Sequence, residues 1–151
     1  MGRPRGFDEQ AVTAAAVALF ASRVYDGVSV DDLVQQLGVH RNSLYKTFGS
    51  KRGLYLTALR WYLDHQLPLV VERLAAGHDV VDDPGLDLLL LAAVERAPVD
   101  VDVTALVSEA WQALEQALPG SEAEPAALPA RNALDALLGA RLRRRAAADQ
   151  P

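Results

Sequence analysis

The stretch SVDDLVQQLGVHRNSLYKTFGSK, residues 29–51, admits very few local structures. Ser29 is a strong helix N-cap, and Asp32 three residues on completes a capping box. Val28 and Leu33 flank that cap as a hydrophobic staple. Val30, Leu33, Val34 and Leu37 then recur at helical spacing until Gly38, the residue type that ends helices in the left-handed conformation. After a one-residue pivot at Val39, a second short helix turns Leu44, Tyr45 and Phe48 inward. His40, Arg41, Asn42, Ser43, Lys46 and Thr47 are left facing outward. Two short helices, at about 30–37 and 40–47, joined by so tight a turn read as a helix-turn-helix.

The distribution of charge agrees with that reading. The chain carries a net charge of −5, which would make it a poor ligand for phosphate if the charge were spread evenly. It is not spread evenly. Residues 1–60 hold eight Lys/Arg against five Asp/Glu, and residues 61–151 hold seven against fifteen. Both lysines of the chain, Lys46 and Lys51, lie in or beside the second short helix. A basic tip on an acidic body orients a molecule toward phosphate and limits indiscriminate sticking.

The remaining pattern is helical throughout, and the expectation is an all-α fold. Asp8 caps a first helix, with Phe7 and Val12 as its staple and Val12, Ala15, Ala16, Leu19 and Phe20 on its inner face. Gly49 and Ser50 separate the second short helix from a fourth, which starts at Lys51 and buries Leu54, Tyr55, Ala58, Leu59 and Tyr62. Pro68 kinks or ends it, because proline lacks a backbone donor, and the pattern resumes to about Ala76. GHDVVDDPG, residues 77–85, is a boundary, with Asp83–Pro84 as cap and first helical position of the next helix. Leu86–Val94 is apolar all round and should be buried on every side. A cleanly amphipathic helix follows, with Val103, Leu106, Val107, Ala110, Trp111, Leu114, Ala117 and Leu118 on one stripe. Residues 119–129 read as a linker, and a last helix buries Ala133, Leu134, Leu137, Leu138 and Leu142. The expected division is a three-helix DNA-binding domain at 1–50 and a helical ligand-binding and dimerisation domain at 51–151, joined by the long fourth helix.

This order of helices resembles the TetR family of bacterial transcriptional regulators. Phe20, Tyr25, Ser29 and Val30 resemble the family's junction between first and second helices, and GVHRNSLYKTFGSKRGLYLTAL its recognition helix and entry into the long helix. LLLLAAVERAP and the helix at 101–118 resemble a segment of its effector-binding body. The resemblance implies a homodimer that sets two recognition helices in successive major grooves of a palindromic double-stranded operator, represses transcription, and lets go when a small-molecule effector binds. By position, His40, Arg41, Asn42, Ser43, Tyr45, Lys46 and Thr47 become recognition-helix contacts. Ser29 and Lys51 fall where backbone phosphates are held, and Arg3 and Arg5 resemble a basic arm for the minor groove. Val24 stands where the family commonly has a glycine, so ending the first helix passes to Gly27. The body is shorter than the family's and lacks its final helix.

Within the body, Trp61, His65 and Trp111 are the expected lining of an effector pocket. The stripes at 103–118 and 133–142 are the expected dimer contacts. His65 and His78 with Asp79, Asp82 or Asp83 match no metal-ligand spacing, and no cofactor is expected. The chain has no cysteine, no apolar run of the ~20 residues that span a bilayer, and no apolar core behind its basic start. A cytoplasmic protein follows. No Ser/His/Asp set, phosphate-cradling glycine loop or carboxylate pair argues for an enzyme. The alternative to ligand control is a small-molecule-blind DNA-binding or interaction protein regulated through a protein partner.

Overall fold

A computed structural model describes residues 7–118 and 127–148. Helix α1 (Glu9–Ser22) begins where the Asp8 carboxylate accepts from the amides of Gln10 and Ala11, at 3.0 and 3.2 Å. Such a cap satisfies donors that have no partner inside the helix. The helix buries Val12, Thr13, Ala16, Val17 and Phe20, so Thr13 and Val17 replace the expected Ala15, which is exposed. The reason is tertiary: α1 is packed by two later helices, α4 and α6, and its buried face is wider than one stripe. Its end differs too. Arg23 leaves the helix in an extended conformation, and a 3-10 turn at Tyr25–Gly27 follows. Gly27 does not adopt a positive φ and is not the terminator expected of it.

Helices α2 (Val30–Leu37) and α3 (Arg41–Phe48) fall where the caps and periodicity put them. Gly38 between them sits at φ 64°, ψ 30°, a conformation in which a Cβ would crowd the following carbonyl. Leu33, Val39, Leu44 and Phe48 close the small core of this pair. Helix α4 (Lys51–His65) starts at Ser50, whose hydroxyl accepts from the Gly53 amide at 2.9 Å. It is the spine of the molecule, burying Leu54, Tyr55, Ala58, Leu59, Tyr62 and Leu63. A break at Gln66 separates it from α5 (Leu67–Ala75), as Pro68 requires.

Helix α6 (Asp87–Leu91) is entered through a 3-10 turn at Pro84–Leu86 and widens into a π-helical segment at Ala92–Arg96. Leu86, Leu88, Leu89, Leu90 and Ala92 are buried, but Val94 is 65% exposed, so the expected burial on every side fails at the far end. The wider turn changes the rotation per residue and carries Val94 outward. Helix α7 (Val101–Ala117) turns Val103, Leu106, Val107, Ala110 and Leu114 into the core. That stripe, expected to serve dimerisation, is covered by the chain's own α4 and α5. Helix α8 (Ala127–Ala148) touches α7 along one edge. Leu134 is buried, Leu137 and Leu138 are half-buried, and Ala133 and Leu142 are exposed. Polar contacts do the rest of the docking: Arg141 donates to Asp87 at 2.8 Å and to the Val81 carbonyl at 3.1 Å. No helix of the described residues is long and apolar enough to cross a membrane.

Gly53 is the tightest backbone contact of the α3–α4 junction. A Cβ built there would land on the carbonyl oxygen of Phe48. Glycine to alanine inside a helix ordinarily stabilises by about 0.5–1 kcal/mol. Here the sign is expected to reverse: Gly53→Ala lowers the melting temperature followed by far-ultraviolet circular dichroism. A melting temperature equal to or above that of the parent chain would contradict the packing described.

Candidate nucleic-acid interface

The capping box that starts α2 is complete. The Ser29 hydroxyl accepts from the Asp32 amide at 3.0 Å and donates to the Asp32 carboxylate at 2.7 Å, and the Ser29 amide donates to the same carboxylate at 2.8 Å. These bonds hold the Asp32 carboxyl below the usual carboxylate range. Ser29 is exposed, as a phosphate contact requires, but its hydroxyl proton is engaged in the box.

Helix α3 presents one polar ridge. His40, Arg41, Asn42, Lys46 and Thr47 are exposed, and Ser43 is half-buried. Leu44 and Phe48 anchor the opposite face at 2% and 9% exposure. Tyr45 departs from the expected inward packing: it is 39% exposed and joins the ridge. A helix of eight residues resting on α2 and α4 has room to bury only two of its side chains fully. His40 makes no side-chain cap, which leaves the first-turn amides of α3 without a capping side chain. Arg41 is ion-paired with Asp31 on the first turn of α2, both side chains being largely exposed. That pair fixes the guanidinium at the helix–helix crossing, though an exposed pair contributes little to stability. Arg3 and Arg5 lie outside the described residues.

Lys51 is half-buried and its Nζ stands 4.1 Å from the centroid of the Tyr25 ring. Burial lowers its pKa, while Asp26 and Glu95 act in the opposite sense. Arg96 sits over the same ring at 4.4 Å. Tyr25 itself packs edge-on to Tyr55 at 4.9 Å, and burial raises its phenol. The turn carrying Tyr25 is held from the body: Glu95 Oε2 accepts from the Tyr25 amide at 2.7 Å and Oε1 from the Asp26 amide at 3.4 Å. One residue further along α4, Arg52 donates to Asp100 through Nε at 2.7 Å and a terminal nitrogen at 2.8 Å, and also to Asp102. Asp100 is the N-cap of α7, and the guanidinium holds its carboxyl far below the usual range.

Sequence reasoning missed Glu95, Arg96, Arg52 and Asp100. Asp100 carries a cap signal, an aspartate just ahead of an amphipathic run. Glu95 carries none, since its partner lies 70 positions away. Of the expected effector residues, Trp61 and His65 stack at 4.5 Å between ring centroids and face a groove of about 790 Å³ between α1, α4 and α7. Trp111 is half-buried elsewhere and does not line it. The groove is open to solvent rather than enclosed.

Two short helices joined by a tight turn, a polar ridge on the second and a long helix leading into a helical body define a helix-turn-helix fold. Residues 12–58 match the model of the bacterial regulatory proteins, tetR family. The chain is 43% identical over 76 residues to the HTH-type transcriptional regulator YezE of Bacillus subtilis (strain 168), covering 50% of this chain and 39% of that one. It is 48% identical over 63 residues to the HTH-type transcriptional repressor BdcR of Escherichia coli (strain K12), covering 41% and 32%. The HTH-type transcriptional repressor ComR of the same organism is 36% identical over 78 residues, covering 52% and 33%. The similarity to the TetR family rests on residues 12–58, under a third of the chain. The chain matches only about a third to two-fifths of the length of these relatives. No solved structure matches it significantly.

The clamp on the α1–α2 turn is open to test. Charge-assisted hydrogen bonds contribute about 1.5–3 kcal/mol each when well formed. Glu95→Ala is expected to speed hydrogen exchange at the Tyr25 and Asp26 amides and leave the α7 amides unchanged. Unaltered exchange at Tyr25 would contradict the clamp.

Proposed function

We propose that the chain is an operator-binding repressor that acts as a homodimer through α3 and releases DNA when a small molecule binds its helical body. The observation that carries this reading is the outward ridge His40–Thr47, set on the second short helix inside the segment that matches the family. Residues 1–50 form the DNA-binding domain and 51–151 the ligand-binding and dimerisation domain. Arg41 and Lys46 suit guanine edges and Asn42 suits adenine, with Ser43, Thr47 and His40 beside them and Tyr45 Oη free to reach phosphate. Ser29, at the first turn of α2, and Lys51, at the first turn of α4, bind backbone phosphates, and Arg3 and Arg5 reach the minor groove. Because α7 spends its apolar stripe internally, the dimer contact in this reading falls on α8, where Leu137, Leu138 and Leu142 retain exposed surface. Two-fold symmetry then sets recognition helices about 34–36 Å apart.

Selection from random duplex DNA followed by mobility-shift titration tests the reading, and a palindromic site is the expected outcome. Arg41→Ala and Lys46→Ala should each weaken that site by about 1–3 kcal/mol while barely changing binding to random sequence. Lys51→Ala should weaken all sequences alike and lower the slope of log affinity against log salt by about 1. An unchanged slope would assign Lys51 to the Tyr25 ring alone.

Analytical ultracentrifugation of the full chain is expected to give a dimer that Leu138→Glu dissociates. A monomeric parent chain would defeat the half-site geometry. The openness of the groove favours one second reading, regulation by a protein partner, which predicts that no small molecule alters operator affinity.

A further inference from the structure

We propose that the groove bounded by α1, α4 and α7 is a binding site for a lipophilic organic cation of drug size. The proposal rests on the ligand-responsive reading above and names the chemistry of the ligand. At about 790 Å³ the groove lies within the range of roughly 300–1,000 Å³ that accommodates such ligands. Leu56, Leu106 and the stacked Trp61–His65 pair provide apolar and aromatic surface.

The charge around that surface selects the occupant. Four carboxylates line the groove, Glu9, Asp64, Asp102 and Glu109, against one cation, Arg60. Two of the four are already neutralised: Asp102 pairs with Arg52, and Glu109 with Arg60 at 3.0 Å. The side-chain carboxylates of Glu9 and Asp64 have no ion-pair or hydrogen-bond partner among the described residues. An anion would meet uncompensated negative charge beside Trp61, and a neutral molecule would gain nothing from it. A delocalised cation gains from both, through Coulomb attraction and through the negative faces of the rings. The two free carboxylates come from different parts of the fold, Glu9 from the first turn of α1 and Asp64 from the end of α4. A cation held between them and α7 spans the DNA-binding unit and the body, so its binding energy is sensitive to how the two are packed.

Titration calorimetry on the full chain without DNA tests this with a size-matched pair, tetraphenylphosphonium and tetraphenylborate. The phosphonium is expected to bind and the borate not. Glu9→Gln combined with Asp64→Asn should weaken the phosphonium about tenfold or more, and Trp61→Leu should weaken it comparably. Both acidic positions are exposed, and an unchanged circular dichroism melt keeps the double variant interpretable. No phosphonium binding, equal binding of both ions, or indifference to the double variant each overturns the proposal. So does a tenfold gain in affinity on Arg3→Gln/Arg5→Gln, which would assign the groove to the chain's own basic arm. Operator binding is measured separately without ligand: its loss alone sinks the DNA reading, and loss of phosphonium binding alone sinks the ligand assignment.

Discussion

The first turn of α4 is where the helix-turn-helix, the α1–α2 turn and α7 meet. Ser50 caps it, Gly53 presses against the backbone of α3, Lys51 rests on the Tyr25 ring that starts the 3-10 turn between α1 and α2, and Arg52 grips the N-cap of α7. The Arg52–Asp100 bond is bidentate, with a buried carboxylate and a half-exposed guanidinium. Such a geometry fixes direction as well as distance, because a planar fork meets two oxygens at once. The polar ridge of α3 has no large core of its own. Its orientation is inherited from α4 through Leu44 and Phe48 below and this polar cluster beside it.

Tyr25 shows how charge and packing are combined at the same place. Two cations flank its ring, an edge-on Tyr55 supports it, and Glu95 takes its backbone amide. Each cation–π contact contributes about 0.5–1 kcal/mol when partly exposed, so none alone decides the fold. Together they tie the turn before α2 to the π segment that follows α6. The widened π turn is what brings Glu95 and Arg96 within reach, and it does so by releasing Val94 to solvent.

Much of the helix-turn-helix was legible in the chain because its signals are local. Ser29 and Asp32 form the box expected of them, Gly38 takes the left-handed conformation, and α3 ends at Gly49. The ridge residues face outward because Leu44 and Phe48 leave no other choice to an eight-residue helix. Tyr45 was misread since an aromatic beside two core residues looks like core, whereas only Leu44 and Phe48 of α3 are buried. Gly27 was misread for a similar reason: a glycine suggests a left-handed terminator, but Arg23 leaves the helix by an extended step that any residue can take. The inner faces of α1 and α8 shifted because periodicity locates a stripe without saying how many neighbours will cover it.

The amino-acid sequence by itself determined the helices, their caps and the polar ridge, since each depends on residues within a turn or two of one another. Only the tertiary structure decided that α7's stripe serves the chain's own core, that Lys51 sits on Tyr25, and that Trp61 and His65 share a groove with Glu9 while Trp111 does not. These outcomes join residues far apart in the chain, as Tyr25 and Lys51, Arg52 and Asp100 or Tyr25 and Glu95 are. A hydrophobic or charged side chain carries its preference for burial or pairing in the sequence. Which partner satisfies that preference is settled when the helices pack.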